Sequence, residues 1–114
     1  MLLDYRTPLH LPRLSFFEDD GIHYAVDGNA PNWIAVDERG RAILNQIATD
    51  TPAPTLGHVV TSYASSWGLE VGSAWVHVHD FCAALGRAGM LRTTPFEAER
   101  YPGRAALAAP EGLR

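Results

Sequence analysis

Lysine is missing from this chain, cysteine occurs once, and apolar runs are only a few residues long. The lone Cys82 excludes an internal disulfide and a thiolate metal cage. Its apolar neighbours predict a small buried thiol rather than a reactive one. With no lysine, the nine basic residues are all arginines, and they are scattered from Arg6 to Arg114 against 13 acids, for a net charge of −4. A nucleic-acid binder gathers positive charge on one face to neutralise phosphates, and no such cluster is present. The short apolar runs exclude a bilayer-spanning helix. Met1-Leu-Leu-Asp-Tyr-Arg6 also lacks the charged-then-apolar plan of a signal peptide. The chain is therefore expected to be soluble and cytoplasmic, with no membrane partner. At 114 residues it has room for one domain, which excludes a TIM barrel or a full Rossmann enzyme.

What is present divides into an arm, a core and a tail. Residues 1–13 hold Pro8 and Pro12 and read as an extended N-terminal arm. Leu14–Glu18 is apolar and aromatic, and Asp19-Asp20-Gly21 is a turn signal. Ile22–Val26 has the β-branched and aromatic content of a second strand, and Asp27–Pro31 is another turn cluster. Asn32–Val36 reads as a third strand, so the short connections imply an antiparallel meander. The period then changes to helical. Asp37 caps a first helix carrying Ile43 and Ile47, which ends at Thr49–Pro54. Thr55 caps a second, closed by Gly68. Ser73 starts a third, with Trp75, Val78, Cys82 and Leu85 as its apolar stripe. Residues 14–93 are thus predicted to form an α+β domain, a winged helix-turn-helix with a three-stranded antiparallel sheet followed by three helices. Residues 94–114 alternate Pro, Gly, Ala and charge without a period and read as a flexible tail or linker.

Candidate chemistry is sparse. On a strand, His77-Val78-His79 would present both imidazoles to one metal, but on a helix residues two apart diverge by about 200°. The stripe through Trp75, Val78, Cys82 and Leu85 makes this a helix, which leaves His77 and His79 as surface or groove residues and predicts no metal. Cys82 does not converge with either histidine and an orienting third group, as a nucleophile pair requires. Asp19 and Asp20 sit in a turn as solvated charge. No glycine-rich phosphate loop is present. These readings predict a protein that is not an enzyme and needs no cofactor. A binding module fits better: Asn32–Val36 closes the meander and so can be an edge strand, whose unpaired N–H and C=O groups suit peptide capture by strand addition. Trp33 and Trp75 are each either plain core or part of a pocket beside that strand. Arg39 and Arg41 either meet an acidic peptide or solvate a helix.

The segment Trp33-Ile-Ala-Val-Asp-Glu-Arg-Gly-Arg-Ala-Ile-Leu44 resembles the strand-into-helix passage of the PqqD-like family. Ala48–Leu56, running into Val59-Val60, is similar to that family's polar turn and Thr-led second helix. Val76–Leu91 is similar to its closing helix, with Phe and Leu ahead of a Gly-apolar-Leu end. The resemblance covers about residues 11–92 and is carried by diffuse hydrophobic patterns. It implies a peptide chaperone, or precursor-peptide recognition element. Such domains bind the leader of a ribosomally made precursor and present it to a modifying enzyme, often a radical S-adenosylmethionine maturase. Carried over residue by residue, it implies leader contacts at Asn32, Trp33, Ile34, Ala35 and Val36, with Trp75, His79 and Ala83 on the helix side. The chain departs from the family where Thr49-Asp-Thr-Pro52 replaces an Asp-Gly turn, and in having no lysine for leader contacts. The tail fits a linker to a fused maturase, and a free strand edge can also pair with a second copy as a homodimer. Two other readings stand beside capture: a winged-helix DNA-binding transcriptional regulator, and a structural domain that docks on a partner enzyme. The regulator needs basic residues on the third helix, where Ser73–Ala88 offers Arg87 alone and Asp80 in its middle.

Overall fold

A computed structural model describes residues 2–28, 31–50 and 52–96. Three strands, β1 (Leu14–Asp19), β2 (Ile22–Asp27) and β3 (Trp33–Val36), precede three helices, α1 (Glu38–Thr49), α2 (Leu56–Trp67) and α3 (Val71–Arg87). The sheet is antiparallel in the order β1-β2-β3. This is the expected α+β succession of sheet and helices. The predicted tail from 97 onward lies outside the described residues, as do Asn29 and Ala30 of the second turn.

Local chemistry accounts for most of the boundaries. Asp20 and Gly21 join β1 to β2 with φ of 54° and 79°. Two left-handed residues in a two-residue loop give the turn whose twist matches a hairpin, and Asp-Gly tolerates it. The Asp37 carboxylate accepts the Gly40 N–H at 2.8 Å, and the Thr55 hydroxyl accepts the His58 N–H at 3.2 Å, so both capping residues act as expected. Gly68 ends α2 in the left-handed conformation (φ 64°). The third start differs from expectation. α3 begins at Val71 behind Glu70, which makes no side-chain cap, and Ser73 lies exposed inside the first turn. The Gly68 turn is the cause: the Leu69 N–H returns to the Ala64 carbonyl at 2.9 Å, so the chain reverses at once and re-enters a helix before Ser73.

The N-terminal arm is part of the folded body. Leu9 is fully buried and Leu3 nearly so. The arm also supplies acceptors for the unpaired first-turn amides of α2: the Leu56 N–H donates to the Thr7 carbonyl at 2.8 Å and the Gly57 N–H to Tyr5 at 2.9 Å. With Thr55 serving His58, the free donors of that helix end are satisfied. His10 and Arg92 exchange backbone bonds at 2.9 and 3.0 Å, tying the arm to the segment after α3.

The core lies between the helices and one face of the sheet. Leu44 of α1, Val59 and Val60 of α2, Val78 and Cys82 of α3, and Met90 beyond it are all fully buried. The register Phe16↔Ala25↔Ile34 sets inward residues side by side across the sheet, with Val36 next along β3. The same alternation turns Phe17, Tyr24, Trp33 and Ala35 to the opposite face. Among the described residues, no helix is long and apolar enough to cross a membrane.

Candidate functional site

β3 is an edge strand, and its register decides which backbone groups the edge offers. The Asp27 N–H donates to the Asn32 carbonyl at 2.9 Å, which makes these two residues a hydrogen-bonded pair. Bonded pairs recur at every second position, so the N–H and C=O of Ile34 and Val36 face Ala25 and His23. Those of Trp33 and Ala35 point away from β2, into the open edge. The opposite side of β2 has the complementary phase: Gly28 donates to the Arg13 carbonyl at 2.8 Å, so even-numbered residues of β2 face β1.

The start of β3 is tied to the C-cap of α3, and its far end meets α1, which in turn touches α3. At the start of β3, the Asn32 side-chain amide donates to the Ala88 carbonyl at 2.8 Å. This fills an acceptor that a helix end otherwise leaves unpaired. Gly89, with φ of 77°, turns the chain there, and its amide returns to the Gly86 carbonyl at 3.1 Å. Past the end of β3, Gly40 lets strand and helix meet. A Cβ placed on Gly40 would lie 2.9 Å from Val36 Cβ and 2.9 Å from Phe81 Cε1. Between the first turn of α1 and α3 a hollow of about 370 Å³ opens, walled by Asp37, Arg39, Gly40, His77, Asp80 and Phe81 among others. It has charge of both signs over an apolar floor. A larger hollow of about 460 Å³ lies elsewhere, between arm residues Leu9–Leu14 and the end of α1.

The expected strand-side residues therefore fall together, whereas the helix-side set divides from them. Asn32 bonds to α3, Ile34 and Val36 pack inward on the core, and Trp33 and Ala35 present backbone to the edge. Trp33 is not core: its side chain is 61% exposed, on the outer face of the sheet, 5.9 Å from Tyr24 ring to ring. Trp75 and His79 stand on the flank of α3 away from β3. Trp75 packs on Tyr5 of the arm at 4.7 Å and on His79 at 5.2 Å, and Ala83 continues that stripe, half-buried against the core. Trp75 thus packs half-buried against the core that holds Val78, Cys82 and Leu85, and also braces Tyr5 of the arm. The flank beside β3 carries His77, Phe81, Ala84 and Ala88, by the contacts of Gly40 and Asn32 and the helical step. One signal for this was in the sequence: Gly40 in the first turn of a helix marks a close approach, and whatever it approaches lies on the strand side.

His77 Nδ1 lies 3.4 Å from the Tyr63 hydroxyl and His79 Nδ1 lies 3.3 Å from Asp80 Oδ1, so the two imidazoles serve different neighbours. Among the described residues no three His, Cys, Asp or Glu side chains gather as a metal shell requires. Burial pushes the Cys82 thiol up to about 12, which keeps it protonated and inert as a nucleophile near neutral pH. Arg39 stands over the Trp67 ring at 4.8 Å and Arg41 over Phe16 at 4.0 Å, so each arginine is braced by an aromatic ring. Compared with family models, curated proteins and solved structures, the chain matches none of them.

Proposed function

We propose that this domain captures the leader of a ribosomally synthesised precursor peptide by strand addition at β3 and presents it to a modifying enzyme, a radical S-adenosylmethionine maturase. The observation that carries the reading is the open β3 edge beside α3, with the Trp33 and Ala35 N–H and C=O groups directed into it. A peptide strand pairing there satisfies those groups and sets alternate side chains on two sides. One set faces the α3 flank of His77, Phe81 and Ala84, and the other stands beside Trp33 on the outer face. The hollow past Val36 accepts the end of such a strand, and Arg39 and Asp80 in its wall offer charge for register. The resemblance to the PqqD-like family supports the same edge and supplies the class of peptide and enzyme.

The test is an amide-resolved NMR titration with the leader of a precursor encoded beside the gene for this chain, and a DNA duplex as control. Saturable shifts confined to Asn32–Val36 and the His77–Ala88 flank support capture. Shifts with DNA alone that vanish as salt rises support a winged-helix DNA-binding regulator instead. No saturable shift with either titrant argues for docking on a partner enzyme without strand addition, and the enzyme is then the next titrant.

A further inference from the structure

The outer face of the sheet carries an aromatic surface that a strand added at the edge would meet only at Trp33. Phe17 and Tyr24 are directly opposite in the β1–β2 register and lie nearly parallel, 15° apart with centroids at 5.0 Å. Trp33 extends the row diagonally across β3 at 5.9 Å from Tyr24. Phe17 is 53% exposed and Trp33 61%, an unusual outlay of apolar surface for three strands. Together with Val26 these rings line a shallow depression of about 350 Å³, and its one charged wall is Asp19. Asp19 shares this outer face with Phe17 two residues before it, whereas Glu18 between them alternates to the other side of the sheet.

Aromatic faces with a carboxylate at their margin are complementary to a cation. The shape selects which cation. Phe17 and Tyr24 stack on one another and Trp33 tilts against Tyr24, so the rings build no cage around an ammonium group, but a flat guanidinium can lie in the depression against an exposed ring face with its edge toward Asp19. The chain itself uses this contact: guanidiniums of Arg39, Arg41 and Arg92 stand 4.8, 4.0 and 4.3 Å from the centres of Trp67, Phe16 and Phe96. Among the described residues no arginine stands over Phe17, Tyr24 or Trp33. A second copy of this chain is a poor occupant, since stacking two such faces would bring two Asp19 carboxylates together on molecules of net charge −4.

We infer that the outer sheet face is a binding site for an arginine side chain of a peptide or protein partner, seated on Phe17, Tyr24 and Trp33 with its charge met by Asp19. The site stands whether or not a strand adds at β3, because its side chains all lie on β1, β2 and the outer side of β3. The probe is the blocked tripeptide acetyl-Ala-Arg-Ala-amide, with its citrulline analogue as a neutral match of the same shape, titrated into the full chain. Arginine peptide is expected to shift the Trp33 indole N–H and the Phe17 and Tyr24 ring signals saturably, leaving the Trp67 and Trp75 indoles unmoved. Citrulline peptide should bind distinctly more weakly. Trp33→Ala, read on Tyr24, should weaken binding about two- to fivefold, the effect of one ring at an exposed site. Asp19→Asn should weaken it to a similar degree, about two- to fivefold, and flatten its salt dependence. Both positions are exposed, so neither variant threatens the fold. Equal shifts from the two peptides, shifts spread over all three indoles, or no saturable shift at all would each overturn the assignment.

Discussion

Replacing Gly40 with alanine sets two known effects against each other. In a helix interior alanine is favoured over glycine by about 1 kcal/mol. At Gly40, however, the new methyl would sit 2.9 Å from Val36 Cβ and 2.9 Å from Phe81 Cε1. The Phe81 ring can swing aside, but Val36 Cβ is fixed to the β3 backbone, so the strand itself has to shift. Overpacking of this kind costs about 1–3 kcal/mol. The net expectation for Gly40→Ala runs from about no change to a loss of about 2 kcal/mol. Gly72, exposed in the first turn of α3, is the matched control: nothing lies within 4 Å of its added Cβ. Gly72→Ala should therefore stabilise, by up to about 1 kcal/mol. Urea denaturation with a common slope reads the difference directly, about 1–3 kcal/mol between the two variants. The same wedge between β3 and α3 should weaken capture of a leader peptide. If Gly40→Ala stabilises as much as Gly72→Ala, the close meeting of β3, α1 and α3 is wrong, and the cleft built on it fails too.

Two further outcomes are expected. Ala35→Pro should leave the domain folded, since an edge strand tolerates proline where its N–H faces outward, and should weaken peptide binding about two- to tenfold for one lost hydrogen bond. Ile34→Pro should instead destabilise the fold by about 1–3 kcal/mol, because the Ala25 carbonyl loses its donor; thermal melts and binding titrations of the pair separate the two phases of the strand. Cys82 should resist alkylation at pH 8 in the folded protein and react once it is unfolded. Its folded pKa lies above the unfolded value, so below about pH 9 the thiol is neutral in both states and stability is unaffected. From about 9 toward about 12 only the unfolded chain releases the proton, and stability falls with a slope of up to about 1.4 kcal/mol per pH unit.

Much of the fold was legible because its signals are local. Asp37, Thr55 and Gly68 each act within one turn of where they stand, and Asp20-Gly21 makes its hairpin without distant help. Ser73 misled because a good capping residue is only one competitor for a helix start, and the tight Gly68 turn set the start earlier. The arm could not be recognised as part of the core, since its apolar residues follow no helical or strand period and its backbone partners lie at the start of α2 and past α3. The two tryptophans, each read as either core or pocket, stay undecided in the sequence for a related reason. Their size and hydrophobicity do not say which face of a strand or flank of a helix is covered. Trp33 alternates outward with Ala35, and Trp75 lies one flank away from the α3 positions that meet β3 through Phe81. Helical spacing gave the apolar stripe of α3, but its rotation relative to the strand rests on Asn32 and Gly40, which are distant in sequence from the helix they touch.

Hydrogen exchange along β3, with and without a saturating leader peptide, tests strand addition most directly. In the free domain the Ile34 and Val36 amides should be protected by β2, while those of Trp33 and Ala35 exchange freely. Strand addition predicts that the bound peptide slows Trp33 and Ala35 selectively, abolishing the alternation. A peptide that binds at saturation yet leaves both amides exchanging as fast as before contradicts capture at this edge.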